Sequence, residues 1–198
     1  MFKIRIVVSL WFFFAASSLI SRGQSFQLSR DSAFVRVNGS STLHDWKMDL
    51  KEFDCMAGFV MDGMHIKSLE KVEFKCKATD LKSESSLMDK KAYSALKTNV
   101  FPDIIFRMTS LTGVTSGNRK FSGSIKGDLS IAGKTNTVSI PLSGTLSGMN
   151  GINKIDIYGE VRLKMSDFDI SAPVLMMGAL KTGDEITVSF SLQFFEKS

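Results

Sequence analysis

Histidine and cysteine are scarce in this chain of 198 residues: there are two of each, His44, His65, Cys55 and Cys76. Two histidines give a His-based triad or a multi-histidine metal site almost nothing to draw on. No CxxC, HExxH, GxSxG or phosphate-loop pattern occurs either. The expectation is a non-enzymatic protein with no metal and no cofactor. His44 and Asp45 are adjacent, and on a strand neighbouring side chains point to opposite faces, so they do not form an orienting pair. Asp167 and Asp169 share a strand face by spacing, and we read them as a solvated strand end in preference to a Ca²⁺ or acid-base pair.

An excess of charge of one sign is also lacking. The formal net charge is +5, but Lys3, Arg5 and Arg22 lie in an N-terminal stretch that holds no acid. The remainder carries 22 basic against 20 acidic residues, interleaved rather than clustered, which excludes nucleic acid as an expected partner.

Long apolar runs are limited to one. Lys3 and Arg5 precede an uncharged run from Ile6 to Ile20 and then the small-residue stretch Ser21-Arg22-Gly23, the three-part layout of a secretory signal peptide. At about 15 residues the run is shorter than the roughly 20 that cross a bilayer as a helix. Residues 1–23 are expected to be a signal peptide cleaved after Gly23. Residues 24–198 are expected to be a single soluble domain, periplasmic or secreted. Both cysteines fall in the exported part, where a disulfide is permitted. A hairpin centred near His65-Ile66 would set Cys55 opposite Cys76 and bridge them; two buried free thiols are the alternative.

What is abundant is period-two alternation, the mark of strands with one apolar and one polar face. Phe121, Gly123, Ile125, Gly127, Leu129 and Ile131 alternate with Ser122, Ser124, Lys126, Asp128 and Ser130, and a Gly133-Lys134 turn leads into Val138, Ile140 and Leu142. Ile155, Ile157, Gly159, Val161, Leu163 and Met165 repeat the pattern, as do Ile186, Val188, Phe190, Leu192 and Phe194. His44-Trp46-Met48-Leu50 and Val72-Phe74-Cys76 are weaker instances, and Asp62-Gly63 is a turn signal. Only Met88–Thr98 breaks the period. It is rich in helix formers, can be capped by Ser86 and is stopped by Pro102, which predicts one short helix over a barrel mouth or flank through Met88, Tyr93 and Leu96. Ser171–Gly183 reads as a long loop.

About eight strands and one helix predict an all-β fold, a closed antiparallel barrel, because closure removes sheet edges. Inward glycines at 123, 127 and 159 permit bending or leave interior space. A barrel of this size holds either side chains or one small ligand. A filled core and a cavity look alike in sequence; flexible Met108 and Met165 favour the cavity. An outer-membrane barrel has the same period, but Trp46, Tyr93 and Tyr158 are too few for two aromatic girdles, so no stable membrane insertion is expected. Phe53, Phe59 and Phe195 are placed on an outer face, where they could serve a homodimer.

Four blocks, SSTLHDW (40–46), MDKKAYSALKTNVFPDIIFRMTSL (88–111), GSIKGDLSIAGKTNTVSIPL (123–142) and LKMSDFDISAPVLMMGALKTGDEITVSFSLQF (163–194), occur in the order seen in the YceI-like family. The chain resembles that family over about residues 34–195. The resemblance implies a lipocalin-like barrel with a helix beside it, holding a polyisoprenoid such as a prenylated quinone in its lumen; a fatty-acyl lipid is a further expected partner of the apolar interior. Lining candidates, assigned by inward phase, are Trp46, Phe106, Met108, Phe121, Ile125, Ile140, Ile157, Val161 and Phe190. An alternative is a non-catalytic scaffold whose loops, such as 171–183, meet a protein partner, as in a stress response.

Overall fold

The computed structural model describes residues 26–63, 65–149, 152–175 and 180–197; the expected signal peptide lies outside them. In chain order the elements are β1 (Phe26–Leu28), β2 (Phe34–Ser41), β3 (Trp46–Leu50), β4 (Asp54–Asp62), β5 (His65–Lys77), β6 (Leu81–Lys82), α1 (Ser86–Ala95), β7 (Asp103–Gly117), β8 (Lys120–Ile131), β9 (Lys134–Met149), β10 (Ile152–Lys164), β11 (Val174–Leu175) and β12 (Leu180–Glu196).

All ladders are antiparallel, and ten strands lie on one hydrogen-bonded path, β4-β5-β7-β8-β9-β10-β12-β2-β3-β6. The fold is thus all-β with one helix, but the expected closed eight-stranded barrel is replaced by a strongly curled sheet whose path ends at β4 and at β6. The reason lies at the two ends. The β3–β6 ladder runs out after two pairs, Asp49↔Lys82 and Leu50↔Leu81. β4 meets β1, which pairs with the end of β12, through side chains: the Phe26 and Phe59 rings are 5.0 Å apart edge to face, and Arg30 pairs with Asp54.

Alternation holds through the long strands. Along β8, Phe121, Ile125, Gly127 and Leu129 are buried, while Ser122, Lys126 and Asp128 are exposed. The apolar faces point inward, and no polar side chain among the described residues is buried. The β8–β9 turn falls one residue earlier than expected, on Ala132-Gly133, both at positive φ (51° and 87°), the two-residue turn whose twist matches the flanking strands. Ser171–Gly183 is not simply a loop, because β11 pairs with the start of β12 through Val174↔Lys181 and Leu175↔Leu180.

The β4–β5 hairpin turns at Gly63, as Asp62-Gly63 signalled, with Asp62 paired to His65. Two register shifts along β5, one next to Lys71 at φ 53°, then place Phe74 opposite Cys55. Cys76 is displaced by two residues, and both thiols are buried and free. The expected bridge is absent because the hairpin turns at Gly63 rather than near His65-Ile66: that turn alone would set Cys55 opposite Val72, and the two bulges carry the register only as far as Phe74.

Three other placements differ. Phe53 and Phe59 belong to the core rather than an outer face: Phe59 is in phase with Cys55 and Ala57 on β4 and stacks edge-on against Phe194 at 5.3 Å, and only Phe195 is outside. His44 lies in the β2–β3 connection, not on a strand, and its Nδ1 donates to the Asp45 carbonyl at 2.7 Å. Asp167 and Asp169 are not on a strand face. Met165–Phe168 is a turn of 3₁₀ helix with Asp169 in a left-handed cap, and Asp169 pairs with Lys134 at 3.2 Å.

Candidate ligand cavity

The core is packed at one end of the curled sheet and hollow at the other. At the packed end Ile155 and Phe194 face each other across β10 and β12 and are almost fully buried. Leu146 pairs with Ile155. Above this floor of Phe59 and Phe194, a cavity of about 500 Å³ runs toward α1, within the usual size for small-molecule sites. Its walls are apolar from nearly every strand: Val37 and Met48 of β2 and β3, Phe74 of β5, Phe106 of β7, Ile125 of β8, Ile140 of β9, Val161 of β10 and Val188 of β12.

The opening is marked by two leucines that line the cavity yet remain exposed, Leu43 at 67% and Leu87 at 58%. Around it sit Ser41, His44, Ser85, Lys91, Lys181 and Thr182. α1 is held beside this mouth by its own chemistry. Ser85, not Ser86, caps it by accepting from the Met88 N–H at 3.3 Å. The helix ends at Ala95 rather than Thr98, because Lys97 turns to φ 54° and the Thr98 N–H returns to the Tyr93 carbonyl. Met88 and Leu96 face the cavity as expected. Tyr93 does not: its hydroxyl donates to the Thr79 and Leu81 carbonyls, both at 2.8 Å, and moors the helix to the strand edge.

Seven of the nine lining candidates border the cavity: Trp46, Phe106, Ile125, Ile140, Ile157, Val161 and Phe190. Met108 and Phe121 share their inward phase but lie elsewhere along the strands, packed into the core. Alternation reports which face a residue takes and not its depth along the axis. The helix residues Leu87, Lys91, Ala92 and Ala95 were missed, although the spacings 87-91-95 and 88-92-96 trace one helix face.

Of the expected inward glycines, Gly159 makes room for an aromatic ring, as do Gly144 and Gly39. A Cβ on Gly159 would sit 2.2 Å from the Phe190 ring, one on Gly144 2.2 Å from Phe121, and one on Gly39 2.2 Å from Trp46. Each missing side chain lets a cross-strand ring lie against the wall. For Phe190 and Trp46 the effect is to line the hollow without filling it.

Both cysteines also line the cavity. Burial pushes the Cys55 thiol up to about 12. Burial, helped by Asp80 and Asp103, does the same to Cys76. At neutral pH both are protonated, hydrophobe-like wall groups. Among the described residues no cluster of His, Cys, Asp and Glu could hold a metal ion, and no helix is long and apolar enough to cross a membrane.

The YceI-like domain family matches residues 26–194, nearly all of the described chain. The chain belongs to the YceI-like family. No functionally curated protein matches it. Among solved structures, the YceI-like chain resembles Burkholderia cenocepacia BcnA with a TM-score of 0.64 at 16% identity, covering 84% of this chain and 99% of that one. It also resembles a Campylobacter jejuni YceI protein, with a TM-score of 0.63 at 19% identity over 76% and 85% of the two chains. The third is a Saccharophagus degradans domain described as polyisoprenoid-binding and implicated in plant cell wall breakdown, with a TM-score of 0.64 at 10% identity over 88% and 99%. At these identities the likeness is one of fold.

Proposed function

We propose that this YceI-like protein is an exported, non-catalytic carrier that holds one long-chain lipid, polyisoprenoid or fatty-acyl, inside the curled sheet. The observation that carries the reading is the cavity itself: about 500 Å³, walled almost wholly by apolar side chains and open beside α1. The polyisoprenoid-binding description of the Saccharophagus degradans domain supports the same ligand class. The charged, three-part N-terminus supports export to the periplasm or beyond.

Size and energy are consistent with a lipid tail. With a methylene taken as about the size of a water, roughly 30 Å³, the cavity accommodates about 15 carbons. At ~0.8 kcal/mol for each buried CH₂ the gross gain is about 12 kcal/mol. Association removes at least about 4 kcal/mol of this, and a Kd in the micromolar range follows. Longer prenyl chains would emerge at the mouth.

Native mass spectrometry of the protein purified from a bacterial host, with organic extraction of anything bound, tests the proposal. The expected result is an added mass resolving to a prenyl or acyl lipid, or its uptake on incubation with farnesol or a prenylated quinone. A bare polypeptide mass that persists after incubation with those lipids overturns the proposal and favours a loop-presenting scaffold.

A further inference from the structure

The mouth of the cavity is charged with one sign only. Among the described residues that line it there are two lysines, Lys91 and Lys181, and no Asp or Glu. Neither lysine forms an ion pair with a described residue. Two acids flanking the start of α1 are engaged elsewhere: Glu84 pairs with Lys47 at 3.4 Å, and Asp89 accepts from the Ser83 N–H and hydroxyl at 2.8 and 2.7 Å.

Lys91 occupies an unexpected place on its helix. The cavity-facing stripe of α1 and its C-cap consists of Leu87, Met88, Ala92, Ala95 and Leu96, and Lys91 falls within that stripe at the i, i+4 position between Leu87 and Ala95. Lys90 is not among the lining residues. A lysine here lays its alkyl stem along the apolar wall and carries its ammonium to the opening. Lys181 is fixed on β12, its N–H donating to the Thr42 hydroxyl and its carbonyl accepting from the Thr42 N–H. Both lysines line the cavity and are exposed, as Leu43 and Leu87 are, which puts them at the opening where the end of a seated tail would emerge.

We infer that the carried lipid has an anionic head group, a carboxylate or a phosphate, held at the mouth by Lys91 and Lys181. The inference rests on the carrier reading. It adds to it a selection: tail burial provides affinity for any chain of suitable length, and the lysine pair discriminates between heads, because only an anion adds the attraction of opposite charges to the hydrogen bond that an ammonium gives any head oxygen.

Isothermal titration of matched pairs, palmitate against hexadecanol and farnesyl phosphate against farnesol, tests it on the wild type, on the double variant Lys91→Gln with Lys181→Gln, and on Lys90→Gln as control. In the wild type at least one anion is expected to bind roughly tenfold more tightly than its alcohol, the scale of two partly solvated charge contacts. Whichever pair shows the larger ratio identifies the head as carboxylate or phosphate. The double variant should bring the ratio close to one, and the Lys90 variant should leave it intact. Equal affinity for anion and alcohol in the wild type, or a preference that survives in the double variant, overturns the inference and leaves the carrier reading standing. If neither alcohol nor anion binds, the carrier reading falls with it.

Discussion

Replacing Val161 by Phe puts about four more carbon atoms on the cavity wall, and the consequence separates a hollow curled sheet from a filled one. Val161 faces the cavity from β10 opposite Val188 of β12, and both are half-buried. In a filled core such an insertion forces off-rotamer packing and costs ~1–3 kcal/mol. In the hollow end the new ring enters empty space and gains dispersion contacts, so the lipid-free protein should be as stable as wild type or slightly more so. The same ring takes the volume of about four methylenes of a bound chain. At ~0.8 kcal/mol each, ligand affinity should fall by about 3 kcal/mol, on the order of 100-fold. Urea denaturation of delipidated protein and titration with a C16 or farnesyl ligand measure the two quantities independently. Loss of stability together with unchanged binding would refute the cavity as the lipid site.

Gly144→Val should destabilise by about 2–3 kcal/mol, because its Cβ meets the Phe121 ring at 2.2 Å and the Asp156 carbonyl at 2.7 Å; an unchanged melting temperature would mean that the ring does not lie against the strand. Alkylation of Cys55 and Cys76 by iodoacetamide should be slow in native protein at pH 8 and rapid once unfolded, since both thiols lie at about 12; fast native labelling would contradict their burial. Tyr93→Phe, which removes the donor to both the Thr79 and Leu81 carbonyls, should cost about 1–2 kcal/mol and raise amide exchange in α1 more than in β8–β10. The hydrogen bond from Arg36, 2.6 Å away, lowers the pKa of Asp49 against the opposing effect of partial burial. Its contribution to stability is therefore present above about pH 4 and is lost as the pH falls through the lowered folded value. Asp49→Asn should flatten the acid limb of the stability profile, and an unaltered limb would show that the pair is not coupled to folding.

How much was legible depended on the range of the interaction. Which residues face inward along β8, β10 and β12 is dictated by the side-chain period of a strand, a local property, so Ile125, Ile157, Val161 and Phe190 could be placed from the chain alone. The helix was equally readable, since a stretch without Gly or Pro and a hydroxyl cap are local signals; its ends shifted by only a few residues. The ordered blocks at 40–46, 88–111, 123–142 and 163–194 carried the family.

Everything set by pairing between distant segments needed the tertiary structure. Bulges at Lys67 and beside Lys71 decided that Cys55 faces Phe74 rather than Val72, and a bulge leaves the apolar pattern almost unmarked. The opening between β4 and β6 depends on how far two short ladders extend, and alternation has no information on ladder length. Phe121 and Ile125 have the same phase on the same strand, yet one packs into the core and the other lines the cavity. Depth along the strands is a property of the assembled register, and so is the presence of Lys91 and Lys181, ninety residues apart in sequence, in the lining of one cavity.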